Sequence, residues 1–459
     1  MERFAPNLRL RTLKVAAVSS LCVALVCSGV VQAQRERGSN HAASAPLASA
    51  ANPESVGFDS MRLKRLDDAM AKVVADGQVA GMQTLLARHG KIVATNSYGK
   101  MSLATGVPIR KDAIFRIYSM TKPITGVAMM ILFEEGKWRL DDPVTRFIPE
   151  FKDLKVWKGV DTAGGPVLEP VKRPPTMREL MSHTAGFGYG LFATHPVDKM
   201  FQEQRVLASN GLAELVKKVA GIPLLFQPGE RWSYSVAVDL QGYVIEKLSG
   251  QTLGQFLESR IFKPLKMNDT SFMVPADKVS RLAAVYSMDT RTNKLVEATV
   301  AISSPIQDFT KPPLMESGGG GLVSTTADYT RFCQMVVNGG ELDGQRILSP
   351  AAIELMGTNQ IPQAVLVNSN GTTPVASFNE AVGFGLDFRV DNDPRKAGTM
   401  VGKGTMSWGG AAGTWFWIDP TNDLIFIGMI QRFGGGGGSV ELSGLSRTLV
   451  YQALVDPTK

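Results

Sequence analysis

Phe115-Arg116-Ile117-Tyr118-Ser119-Met120-Thr121-Lys122-Pro123 leads into an apolar run that carries Ile124, Val127, Met130 and Ile131 at helical spacing and stops at Gly136. Positions three apart share a helix face, so the amine of Lys122 belongs beside the hydroxyl of Ser119. A serine is a poor nucleophile until a base takes its proton, and a desolvated neutral lysine is such a base. Pro123 suits a first helical turn, where its missing N–H loses no partner. The stretch therefore predicts Ser119 near the positive end of a helix dipole, where an oxyanion is stabilised. Ser97-Tyr98-Gly99-Lys100 repeats the spacing, but at a strand end its two side chains do not share a face.

Upstream, Asp59 or Ser60 caps a helix whose apolar face is Leu63, Leu66, Met70 and Val73, ending at Gly77. Strands follow over 82–88 and 91–98, joined by His89-Gly90. Downstream, helical patterns dominate to about residue 270, at 177–182, 211–219 and 238–248. Ser324 or Thr325 with Asp328 then opens the helix containing Cys333, and Ser349-Pro350 opens another. Strand-like runs occupy 383–390, 407–417 and 424–431, the last two paired across Asp419-Pro420-Thr421-Asn422. A glycine run at 434–438 reads as a slack hinge before a closing helix over 440–454. The implied architecture is a sheet drawn from both ends of the chain, about 53–115 and 275–459, with a helical region over about 116–274 between them.

Composition adds limits. In 459 residues, the first 33 combine Arg3, Arg9, Arg11 and Lys14 with an apolar run over 15–31 and the small residues Val31-Gln32-Ala33. This is the pattern of a signal peptide cleaved after Ala33, which implies a periplasmic or secreted protein. Residues 34–52 read as a flexible leader, with folded structure starting near Val56. Cleavage removes four basic residues and one acidic one, taking the net charge from +7 to +4. That balance does not imply nucleic acid, and no membrane segment is expected after cleavage. Cys333 alone survives of three cysteines, so no intrachain disulfide is expected, and its amphipathic helical setting reads as core. His41, His89, His183 and His195 lack metal-ligand spacing, and no Gly-x-Ser-x-Gly elbow occurs. The oligomeric state stays open.

Two more stretches supply catalytic chemistry. Pro228-Gly229-Glu230-Arg231-Trp232-Ser233-Tyr234-Ser235-Val236-Ala237 is a turn running into a helix, and a phenol delivered there can shuttle protons beside an ammonium. Ser407-Trp408-Gly409-Gly410-Ala411-Ala412-Gly413 offers small residues on a strand, so a main-chain N–H can face a reacting carbonyl.

In this order, the three stretches resemble the penicillin-recognising serine hydrolases: class C β-lactamases, D-alanyl-D-alanine peptidases and above all family VIII carboxylesterases. The likeness runs from about residue 56 to the C-terminus. It includes Leu140-Asp141-Asp142-Pro143, Leu180-Met181-Ser182-His183-Thr184-Ala185-Gly186 and Gly319-Gly320-Gly321-Leu322. The resemblance implies a β-lactamase-like α/β fold. In it a mainly antiparallel sheet is flanked by N- and C-terminal helices, an all-α region is inserted, and the active site lies between them. It implies Ser119 as nucleophile, Lys122 as its base partner and Tyr234 as general base and acid. The oxyanion hole would be the N–H groups of Ser119 and Ala411, with Trp408, Gly409, Gly410, Val236 and Tyr118 completing the substrate-binding set. No cofactor or metal is implied, and His183 is read as fixing a loop.

The departures point within the family. Val236 stands where lactamases usually carry Asn, Trp408-Gly409-Gly410 replaces Lys-Thr-Gly, and Ser-Asp-Asn is absent. The groups that clamp a β-lactam carboxylate and amide are therefore missing, while a tryptophan wall suits acyl or aryl esters. The expectation is a serine carboxylesterase acting on small-molecule esters. The alternatives are a β-lactamase, a D-amino-acid peptidase, an acyltransferase and a non-catalytic ligand- or peptidoglycan-binding relative.

Overall fold

The computed structural model describes residues 47–191, 195–289, 291–298, 307–368, 378–434 and 441–459. The expected signal peptide, most of the expected leader and the glycines at 435–438 lie outside them.

Alternation decides the central sheet. Strands β1 (Gly81–Arg88) and β2 (Lys91–Gly99) form a hairpin through His89 and Gly90, whose φ values of 52° and 69° are those of a tight turn matched to strand twist. The sheet is completed by β3 (Val382–Phe384), β4 (Arg389–Asp391), β5 (Thr405–Gly409), β6 (Trp415–Asp419) and β7 (Leu424–Met429). The seven strands run in the order β3-β4-β5-β6-β7-β1-β2, every pairing antiparallel. An N-terminal strand thus sits against the last one, as the pattern predicts.

β1 and β7 are buried throughout, so both faces of the sheet are covered. Met82, Leu86, Leu424 and Phe426 point to one cluster, which they share with Leu66, Met70 and Val73 of helix α1 (Ser60–Ala75). Leu85, Ala87, Ile425 and Ile427 point to the other, which continues into the helical part of the molecule. Helix α2 (Thr121–Glu134) is buried along almost its whole length, as a helix apolar on every side must be. It packs against α3 (Ala237–Ser249). Helix α4 (Thr326–Val337), capped by Thr325, holds the buried Cys333 and packs on the second face of the sheet. Helix α5 (Leu442–Tyr451) lies with α1 on the first face.

Four expectations are corrected. The run at 407–417 is two strands, because the chain reverses at Gly410–Gly413 and the Gly410 N–H donates to Thr414 O at 2.7 Å. The run at 383–390 is likewise two short strands, β3 and β4. The inserted region is not all helical, since Lys155–Val160 and Pro166–Pro170 form a hairpin whose side chains are largely exposed. That exposure leaves little apolar periodicity to read. Finally, the chain is already hydrogen-bonded before Val56. Ala50 N–H donates to Ile92 O and Ile92 N–H to Ala48 O, both at 2.8 Å, covering the free edge of β2. Among the described residues, no helix is long and apolar enough to cross a membrane.

Candidate active site

Ser119 lies in a short 3₁₀ turn, Tyr118–Met120, immediately before α2. Tyr118 adopts φ 42°, a left-handed backbone that a bulky residue reaches only under constraint. The constraint is visible. Ile117 N–H donates to Leu322 O at 3.1 Å, Leu322 N–H donates to Thr121 Oγ1 at 3.2 Å, and Tyr329 Oη donates to Met120 O at 2.9 Å. The short strand Ile114–Arg116, paired with Val323–Thr325, ties the approach to this turn down as well.

Lys122, one helical step on, is 1% exposed. Its ammonium nitrogen donates to Gly319 O at 2.6 Å, to Tyr189 Oη at 3.0 Å and to Ser119 Oγ at 3.4 Å. It also stands 4.5 Å from the Tyr234 ring centroid and 5.0 Å from that of Tyr189. Burial works against its charge, but the Tyr189 and Tyr234 phenols outweigh it and raise the pKa above the ordinary lysine value. Gly319 O can only accept, so the lysine nitrogen donates there, while the Tyr189 and Ser119 hydroxyls can each donate or accept. The raised pKa favours the ammonium over the neutral lysine expected from the sequence.

Tyr234 is held from both sides by His183. Ser233 N–H donates to His183 O at 2.9 Å, and His183 Nδ1 lies 2.9 Å from Ser235 Oγ. Burial, helped by the Lys122 charge, keeps His183 well below its usual pKa, so it is neutral. The Trp408 indole nitrogen lies 3.4 Å from Tyr234 Oη. Ser119, Tyr234, Trp408, Gly409, Gly410 and Ala411 line one cavity of about 630 Å³. A second, of about 560 Å³, is walled by Tyr118, Tyr189, Leu207, Phe309, Phe433 and the Pro312-to-Met315 segment. Ser119, Leu191 and Ala411 belong to both, so the hydroxyl stands at their junction. Among the described residues, neither the Ser119 N–H nor the Ala411 N–H has an acceptor. Gly410 must be glycine, because a Cβ there would stand 2.4 Å from Ile117 O.

Val236 is not where a substrate contact would be. It is fully buried, lines neither cavity, and donates its N–H to Gly188 O at the start of α3. Three participants went unread in the sequence. Tyr189 touches Lys122, and its phenol is pushed up by burial against the pull of the ammonium. Gly319 supplies the carbonyl that Lys122 meets. Asp239 anchors that segment, accepting from Ser317 Oγ at 2.5 Å and from Gly319 N at 3.1 Å. The only available signal was position: Tyr189 follows one quoted landmark, and Gly319 begins another. Among the described residues, no group of three or more His, Cys, Asp or Glu could hold a metal ion.

The family described as Beta-lactamase matches residues 66–445. Protein Rv1367c of Mycobacterium tuberculosis (strain ATCC 25618 / H37Rv) is 35% identical over 377 residues, covering 81% of this chain and 90% of its own. Esterase EstB of Burkholderia gladioli is 29% identical over 420 residues, covering 88% and 99%. Among solved structures, EstCE1, described as a hydrolase with promiscuous acyltransferase activity, superposes with a TM-score of 0.69 at 25% identity, over 85% of this chain and 99% of its own.

Proposed function

The chain belongs to the Beta-lactamase family of serine hydrolases, and from that premise we propose that it is a serine carboxylesterase of the family VIII type. Its substrates are short- to medium-chain acyl or aryl esters. The observation that supports this most strongly is that the Lys122 ammonium meets both the Ser119 hydroxyl and the Tyr234 ring, residues 115 positions apart that line one cavity. The similarity to esterase EstB and the tryptophan and small residues along the cavity support the ester preference.

In this reading Tyr234 acts as the phenolate, and Ser119 Oγ attacks the ester carbonyl as its proton passes to that oxygen. The Lys122 ammonium stays in place, its charge favouring a negative serine oxygen. The unoccupied N–H groups of Ser119 and Ala411 receive the tetrahedral oxyanion. Tyr234 returns the proton to the departing alcohol, and water then enters by the same route to hydrolyse the acyl-serine. A panel of p-nitrophenyl butyrate, nitrocefin and a D-Ala-D-Ala peptide on the purified protein tests the assignment. The ester is expected to dominate kcat/KM by about two orders of magnitude or more, since Val236 and, beside the serine, Trp408-Gly409-Gly410 stand where lactamases carry an asparagine and a strand lysine. Faster turnover of nitrocefin or the peptide would contradict it.

A further inference from the structure

Beyond the chemistry at Ser119, the cavity it shares with Tyr234 has a far wall of a different kind. Arg389 on β4 and Arg447 on α5 both line it. Both lean on a single carboxylate, Asp391, which is 0% exposed: Arg447 Nη1 lies 3.2 Å from it and Arg389 Nη2 3.5 Å. The remaining guanidinium N–H groups, Arg389 Nη1 and Arg447 Nη2, have no hydrogen-bond partner among the described residues, and the Nε of each is buried without one. The Arg447 side chain is 11% exposed and lies over the Trp417 ring, 5.5 Å from its centroid. One buried anion thus faces two cations, and one terminal nitrogen of each guanidinium is left without a hydrogen-bond partner among the described residues. Glu441, also on the lining, is exposed, and its carboxylate is engaged by the Gly444 N–H at 2.5 Å.

From this we infer that the Arg389–Arg447 wall is a carboxylate-binding subsite, so that the preferred esters carry a free carboxylate on the arm that enters this cavity. A terminal nitrogen from each of two guanidiniums offers a charged donor for each oxygen of a carboxylate, and burial strengthens the pairing. The inference rests on the esterase reading and names its substrate class. Reach can be judged from register. Arg389 is the β4 partner of Ser407, and β5 runs two residues further to Gly409, roughly 7 Å at ~3.3 Å per residue, before the turn that carries Ala411. That span suits an acid several methylenes away from the ester carbonyl. The second cavity, walled by Leu207, Phe309, Pro312, Pro313 and Met315, takes the other, apolar arm.

The test compares each carboxylate ester with its neutral counterpart, in two arms. With the acid on the acyl side, the pair is p-nitrophenyl hydrogen suberate and p-nitrophenyl octanoate. With the acid on the alcohol side, it is the butyrate ester of 8-hydroxyoctanoate and octyl butyrate. In one arm the acidic ester is expected to show kcat/KM about tenfold or more above its neutral partner, an advantage that shrinks with added salt. In Arg389→Met and Arg447→Met that ratio falls toward one. Should Arg447→Met fail to fold, having lost its contacts with Asp391 and Trp417, Arg389→Met still decides. Absence of turnover for every ester overturns the esterase reading itself. Equal turnover within both pairs, or a preference that survives Arg389→Met, overturns the subsite alone.

Discussion

Lys122 is the residue on which the chemistry turns. Among the described residues, no carboxylate lies within ion-pair distance of it; its charge is met by a carbonyl, a phenol and the serine oxygen. An ammonium so placed is worth most to an oxygen that becomes negative during reaction. Lys122→Met and Tyr234→Phe are each expected to lower kcat by about two to four orders of magnitude, read from p-nitrophenyl butyrate turnover with folding checked by circular dichroism. The Lys122 and Tyr189 protons are both held more tightly than usual. The base that takes the serine proton must first lose its own, and a phenol does so on the alkaline side, so kcat should climb as pH rises from neutral toward 9. A flat profile between pH 5 and 9 contradicts this.

His183 gives the matching prediction for stability. Its folded pKa is depressed below 6.5, so as pH falls through 6.5 the unfolded chain takes up a proton that the folded one refuses. Stability contributed by the neutral imidazole is thus complete above 6.5 and declines below it. Asp239 and Asp387, whose carboxyls burial pushes up, act in the opposite sense. The His183 share is isolated by comparing variants: the drop in Tm between pH 7.5 and 5.5 should be smaller in His183→Asn than in the parent.

At the scale of elements, the segment around Gly319 matters as much as the serine turn. Thr125 Oγ1 donates to Gly318 O at 2.9 Å, and Asp239 grips Ser317 and Gly319 from α3. Asp239 reaches no reacting atom; it positions the carbonyl that orients Lys122. Asp239→Leu should therefore lower kcat by about tenfold to a hundredfold with little change in KM, because buried donors are left unpaired. Asp239→Asn, which keeps an acceptor oxygen, should restore most of it. Loss of KM alone would point to a role elsewhere. The sequence made the serine turn and the Tyr234 turn readable, because each carries its own local spacing. It could not reveal Asp239, whose partners lie 78 and 80 residues away, nor Tyr189, whose role exists only once Lys122 is beside it. Val236 was misplaced for a related reason: adjacency to Tyr234 in sequence says nothing about which way a side chain turns at a helix start. The reversal at Gly410–Gly413 was hidden because glycines suit a strand approached by ligand and a turn alike.

For the whole molecule, alternation along β1 and β7 carried the fold. A one-residue slip would exchange the two faces, moving Leu86 and Phe426 away from α1 and α5. Leu86→Ala should cost about 2–5 kcal/mol, measured by urea unfolding. The edge cover by Ala48–Ala50 has no signature in the sequence, because an alanine-rich segment has no periodicity. Two ends of the chain thus frame a helical centre, and Ser119 sits at their seam, supported by Leu322 from the following strand segment and faced by Ala411 from the sheet. The acyl-serine can be caught directly by quenching p-nitrophenyl butyrate turnover with acid and mapping the acylated peptide by mass spectrometry. One butyryl group is expected on the peptide containing Ser119, and none in an inactive Ser119→Ala protein. Butyrylation at another residue, or turnover retained by Ser119→Ala, would contradict it.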